Sequence, residues 1–138
     1  MTSSGAAALV LDEHLTAPCA GLQDRGIDAR PVHDFRATSI LDPDVIRAVA
    51  AVMQGPWVLA TLDGSLVEDN PAFEWERYAI AWLVLDPNLK GVAVEHAKTD
   101  ILHHHARRMV EQRPGDHFSY TERARHKHPP SLLSARQR

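Results

Sequence analysis

The sequence predicts an α/β sandwich on a mainly parallel sheet, and three observations lead there. Apolar runs of strand length, without polar alternation, stand at residues 7–11, 57–62 and 79–85, the pattern of strands buried on both faces. Between them lie stretches whose apolar residues fall at helical spacing. Proline and glycine mark most of the junctions, so strands and helices alternate at a spacing that suits parallel crossovers. At 138 residues the chain is one domain in size and can bury a core without disulfide or metal staples.

Taken in order, residues 1–6 are small and polar and are expected to fray. The first strand, 7–11, runs directly into Asp12 and Glu13. Residues 14–25 are expected to form a helix, with Pro18 near its start and Gly26 at its stop. In the shorter strand at 27–32, Ile27 and Ala29 alternate with Asp28 and Arg30, and Pro31 places its end at a sheet edge. A loop at 33–39 leads to the clearest helix start in the chain. There Asp42 caps, Pro43 occupies the first turn, and Val45, Ile46, Val49, Ala50, Val52 and Met53 form a broad apolar face.

Gly55-Pro56 ends that helix, and the third strand, 57–62, closes on an acid again, Asp63. A polar loop is expected at 64–70, then a short helix opened by Asn70-Pro71 that contains Phe73, Trp75 and Tyr78. The fourth strand, 79–85, stops at Asp86-Pro87-Asn88. A long helix at 92–112 turns Val94, Ala97, Ile101, Leu102, Met109 and Val110 to the core, and Pro114-Gly115 breaks it. Residues 117–121 read as a last strand on a sheet edge. The domain is thus expected to span 1–122, and 123–138 reads as a basic tail with Arg123, Arg125, Lys127, Arg136 and Arg138 and no acid.

Charge and composition narrow the function classes. A net charge of -3 gives no general attraction to nucleic acid, and the acidic excess lies in the body of the chain. Single Cys19 excludes an internal disulfide and points to a reducing compartment. No apolar run reaches membrane-spanning length and the first residues lack a basic signal region, so a cytoplasmic protein is expected. Neither a glycine-rich phosphate loop nor a nucleophile elbow is present. His103-His104-His105 occupy consecutive helical positions that point apart, a poor zinc set; His105 falls between Ile101 and Met109 and is expected to touch the core. Trp57, Phe73, Trp75 and Trp82 are expected in the core, and Cys19 buried and inert.

The acids carry the chemistry. Asp12 ends the first strand, Asp63 ends the third, and Asp42 and Asp44 open the helix that leads into the third. Neighbouring first and third strands would place Asp12 and Asp63 on one rim, with the helix start leaning over it. Clustered carboxylates repel unless a hard cation sits among them, and magnesium or manganese so held activates water and stabilises charge at a phosphodiester. That chemistry is a metal-dependent nuclease. The plainer alternative makes Asp12 a helix cap.

The order Leu11-Asp12-Glu13-His14-Leu15, Gly26-Ile27-Asp28-Ala29, Asp42-Pro43-Asp44-Val45-Ile46 and Val58-Leu59-Ala60-Thr61-Leu62-Asp63 resembles the short PIN-like domains, which include VapC-type toxin ribonucleases. Asn70-Pro71, Glu76-Arg77 and the Trp82-Leu83-Val84-Leu85 strand look like the toxin branch. The resemblance implies a three-layer α/β/α fold and an endoribonuclease that uses magnesium or manganese. It also implies an RNA substrate and a cognate antitoxin protein as partners, with a homodimer as a further assembly. Carried onto this chain, Asp12 and Asp63 are the metal ligands and Thr61 orients the rim through its hydroxyl, with Asp42 or Asp44 as the helix acid. Many relatives place an acid where this chain has Ser65, so Glu68, Asp69, Glu74 or Glu76 would have to supply that group, and Glu76 beside Arg77 matches the toxin-like segment. Arg77, Arg107, Arg108, Arg123, Arg125 and Lys127 are the candidate RNA-binding cations, with His103 near Arg107 and Arg108 as a further phosphate contact. The competing expectation is a catalytically silent PIN-like protein that acts by binding another protein, its acids serving as caps.

Overall fold

A computed structural model describes residues 7–35 and 43–128 of the chain. Its strands are β1 (Ala8–Leu11), β2 (Ala29–Pro31), β3 (Trp57–Thr61), β4 (Ala79–Leu83), β5 (His117–Tyr120) and β6 (Arg125–His128). Its helices are α1 (Cys19–Asp24), α2 (Pro43–Val52), α3 (Leu66–Asp69) and α4 (Val92–Met109). The strands form one six-stranded sheet in the order β2-β1-β3-β4-β5-β6, with every pair parallel except β5 with β6. The strand order reverses direction between β1 and β3, which makes their carboxyl ends the crevice of the sheet.

Alternation along the strands sorts the core into two layers. Leu9, Leu11, Val58, Ala60, Ala81 and Leu83 pack with Leu22 of α1 and with Ile101, Leu102 and Met109 of α4. Val10, Leu59, Ile80 and Trp82 pack on the other face with Val45, Ile46 and Val49 of α2 and with Leu66 and Val67 of α3. Helices therefore cover both faces, and β1 and β4 are buried at every position, as their unbroken apolar runs require. Among the described residues no helix is long and apolar enough to cross a membrane.

Several boundaries differ from the sequence expectations, each for a local reason. The expected helix over 14–25 is a 3-10 turn at Glu13–Leu15 followed by the separate α1. Asp12 caps the first piece, and Pro18, which has no N–H to donate, stands at the start of the second. Gly26, with φ +87, follows the end of α1 as expected. The expected loop over 64–70 contains the single turn α3, which buries Leu66 and Val67. The short helix expected after Pro71 is a 3-10 turn at Trp75–Arg77.

β5 is not the sheet edge. Arg125–His128, read as part of the tail, returns as β6 and pairs Phe118 with Lys127 and Ser119 with His126. The turn between them is held by Thr121, whose N–H donates to the Ala124 carbonyl at 2.9 Å and whose hydroxyl accepts from the Ala124 N–H at 3.0 Å. The rest of the tail, residues 1–6, which were expected to fray, and Asp42 lie outside the described residues.

Buried polar groups fasten the α4 end of the sheet. The Tyr120 phenol donates to Gln112 Oε1 at 2.7 Å, and Gln112 Nε2 donates to the carbonyls of Ile80 and Asp116 at 2.9 and 2.8 Å. Burial pushes the Tyr120 phenol up to about 12. His117 Nε2 donates to the Trp75 and Tyr78 carbonyls at 3.0 and 3.1 Å, and His105 Nε2 donates to the Thr121 carbonyl at 2.8 Å.

Burial lowers the pKa of both His105 and His117 from the ordinary 6.5. Each is neutral in the fold and takes up its proton more readily in the unfolded chain. Their contribution is thus complete above about pH 6.5 and is lost as pH falls through the folded values. The urea midpoint is expected to drop between about pH 7 and 5, and His105→Gln/His117→Gln should flatten that drop. An equal slope in the variant would assign the acid sensitivity to other groups.

Candidate functional site at the carboxyl rim of the sheet

Parallel pairing places the ends of β1 and β3 side by side. The Asp12 N–H donates to the Ala60 carbonyl at 3.0 Å, which continues the ladder one step past β1 and sets Asp12 beside Thr61. Both side chains lie on the α2 side of the sheet, following Val10 and Leu59 by alternation. Asp12 is 7% exposed and Thr61 fully buried.

A carboxylate held this far from water needs donors on each oxygen. The Glu13 N–H donates to Asp12 Oδ1 at 2.7 Å and the Thr61 hydroxyl donates to Asp12 Oδ2 at 3.0 Å. Thr61 Oγ1 in turn accepts from the Asp63 N–H at 3.1 Å. One hydroxyl therefore links the two predicted acids, and Asp12 serves both as cap of the 3-10 turn and as a rim side chain.

Asp63 is fixed from the other side. Its Oδ1 accepts from the Ser65 N–H at 3.1 Å and lies 2.9 Å from the Ser65 hydroxyl, the turn geometry that an aspartate two residues before a serine favours. The same hydroxyl lies 3.0 Å from Asp69 Oδ2, and the Asp63 carbonyl accepts from Trp82 Nε1 at 2.7 Å. Ser65, noted in the sequence only as a missing acid, is thus the group that joins Asp63 to Asp69. The Trp82 anchor comes from a neighbouring strand and left no trace in local sequence.

Other predicted residues stand elsewhere. The side chain of Asp44 is 93% exposed, 3.9 Å from Arg47. Arg47 also binds Glu74 at 2.8 Å, and that hydrogen bond holds the Glu74 carboxyl below the usual carboxylate range. Glu76 and Arg77 precede β4, at the amino ends of the strands. The five residues of β4 separate them from the rim by about 16 Å, so Glu76 does not supply the group absent at Ser65. Trp75 is 1% exposed, with Nε1 donating to the Asn70 carbonyl at 2.7 Å, and lies in the core as expected. Arg107, Arg108, Arg123, Arg125 and Lys127 are exposed, as solvent-facing cations must be to meet a phosphate.

The oxygen donors fit a hydrated hard cation in part. Each Asp12 oxygen keeps a second lone-pair direction after its hydrogen bond, and Asp63 Oδ2 accepts no hydrogen bond among the described residues. Two carboxylates with retained waters match the way magnesium is held. They do not make an all-protein cage: among the described residues no three His, Cys, Asp or Glu side chains are grouped to share a metal ion.

Thr61→Val keeps the shape of the side chain but removes the donor to Asp12 and the acceptor for the Asp63 N–H. A loss of about 1–3 kcal/mol in urea unfolding is expected, and combining it with Asp12→Asn should cost less than the sum of the single changes. Full additivity would show that the two groups do not interact. No protein-family model, curated protein or solved structure matches the chain, so a functional reading stands on this rim and on the order of its motifs.

Proposed function

We propose that the protein is a metal-dependent endoribonuclease, the toxin of a toxin–antitoxin pair, with its site on the Asp12–Thr61–Asp63 rim. The observation that supports this most is the Thr61 hydroxyl, which ties the Asp12 carboxylate to the Asp63 backbone N–H at the point where the strand order reverses. Asp12 and Asp63 are the residues to hold magnesium or manganese there. The ion when bound supplies an activated water and stabilises charge at the phosphodiester. Thr61 and the Glu13 N–H hold the Asp12 carboxylate in one orientation, so it need not reorganise as charge develops. Ser65 does the same for Asp63. In this reading an antitoxin is the protein partner.

A second reading is a catalytically silent PIN-like protein that works by binding another protein. What favours it is that both Asp12 oxygens already accept hydrogen bonds from the fold, which gives the residue a structural reason to exist.

Purified protein incubated with total cellular RNA, with magnesium or manganese and with chelator, separates the two. Metal-dependent cleavage abolished in Asp12→Asn and Asp63→Asn, and lowered about 10- to 100-fold in Thr61→Val, is expected. Folded wild type that leaves RNA intact with either metal would retire the nuclease and favour the silent protein.

A further inference from the structure

Arginines of this chain differ in whether a carboxylate holds them. Arg30 and Arg47 are tied to Asp28 and Glu74 at 3.0 and 2.8 Å. Arg25 and Arg107 form no ion pair among the described residues. Arg107 Nη2 donates to the backbone carbonyl of Arg25 at 3.4 Å, which brings the end of α1 against the last turns of α4.

Between those helices opens a cavity of about 410 Å³. Buried Leu22 and Ala106 form its floor, Arg25, Arg107, His103 and His104 surround it, and no acid lines it. The volume is that of a small-molecule or single-nucleotide site. α1 comes close at Gly21, where a Cβ would stand 3.2 Å from His103 Nε2, and that nitrogen is buried without a hydrogen-bond partner among the described residues. Guanidinium forks fit phosphate oxygens, while an apolar floor beside imidazole rings fits a base. Cationic surface continues past the cavity. Arg108 follows on α4, and Arg125 of β6 lies 4.6 Å over the Phe118 ring, which packs on the same core layer as α4. A stretch of cations with no carboxylate partner among the described residues, longer than one phosphate, favours a polyanion over a mononucleotide.

We propose that the α1/α4 cleft is a docking site for single-stranded RNA, in which Arg25 and Arg107 hold a backbone phosphate and the floor takes a base. Arg108, Arg125 and Lys127 carry the strand onward. This rests on the ribonuclease reading for the choice of polyanion, but the cleft lies on the opposite face of the sheet from the Asp12 carboxylate.

Binding of a short fluorescein-labelled single-stranded RNA, measured in chelator across a salt series, tests it apart from catalysis. Arg25→Gln/Arg107→Gln should bind about tenfold or more weakly, with a salt slope shallower by about 0.7 for the one lost phosphate contact. Arg30→Gln/Arg47→Gln, which loses the same charge from carboxylate-paired guanidiniums, should bind as wild type does. The proposal is overturned if the Arg25/Arg107 variant binds equally well, or if wild type binds no RNA. Competition by polyglutamate or by inorganic phosphate as effective as unlabelled RNA overturns it too, since the site would then read a different anion. RNA binding retained without any cleavage strikes the ribonuclease reading alone; equal binding by the cleft variant strikes the cleft alone.

Discussion

A carboxylate placed at the end of a central buried strand has to be answered by donors, and much of this structure follows from how Asp12 is answered. The Glu13 N–H and the Thr61 hydroxyl take one oxygen each. The first bond requires the chain to turn immediately after β1, which starts the 3-10 turn that buries Leu15. The second requires β3 to lie beside β1 in the register that faces Ala60 with Leu11. A one-residue slip of β3 would carry Thr61 to the other face of the sheet and leave Asp12 without its second donor. The same polar pair that makes the rim interesting therefore also specifies the centre of the sheet.

Local charge differs between the rim and the cleft. On the α2 side stand Asp12 and the Asp63–Ser65–Asp69 group, and Arg47 of α2 is held by Glu74 and stacks 4.9 Å over Phe73. On the α4 side, Arg25 and Arg107 face an acid-free cleft. A net charge of -3 does not register this local difference, because it sums over surfaces that a ligand meets one at a time.

How much was legible in the sequence depended on how far each signal reached along the chain. β1, β3 and β4 were visible because burial on both faces demands several apolar residues in succession, a local pattern. The start of α2 was visible for the same reason, since Pro43 and the following apolar face lie within two turns. β6 was not, because Arg125–His128 buries none of its side chains and is a strand only by pairing with β5. α3 was hidden as well: a single turn with two buried residues has too short a period to distinguish from a loop. Of the site, Asp12 and Asp63 were named from strand ends and Thr61 from the family resemblance, whereas Glu76 was misplaced because proximity in sequence to β4 said nothing of which end of the sheet it would occupy.

The sequence by itself determined the α/β class, the central strands and the acids that end them, because hydrophobic periodicity and strand-terminal position are properties of short segments. Tertiary structure decided which strands are neighbours, that one threonine hydroxyl joins Asp12 to Asp63, that Ser65 reaches Asp69, and that Arg25 meets Arg107 across a cleft. The physical reason is that hydrogen bonds and unpaired charges are settled by distances between groups far apart in the chain. No local pattern encodes those distances until the sheet register has been set by burial on both of its faces.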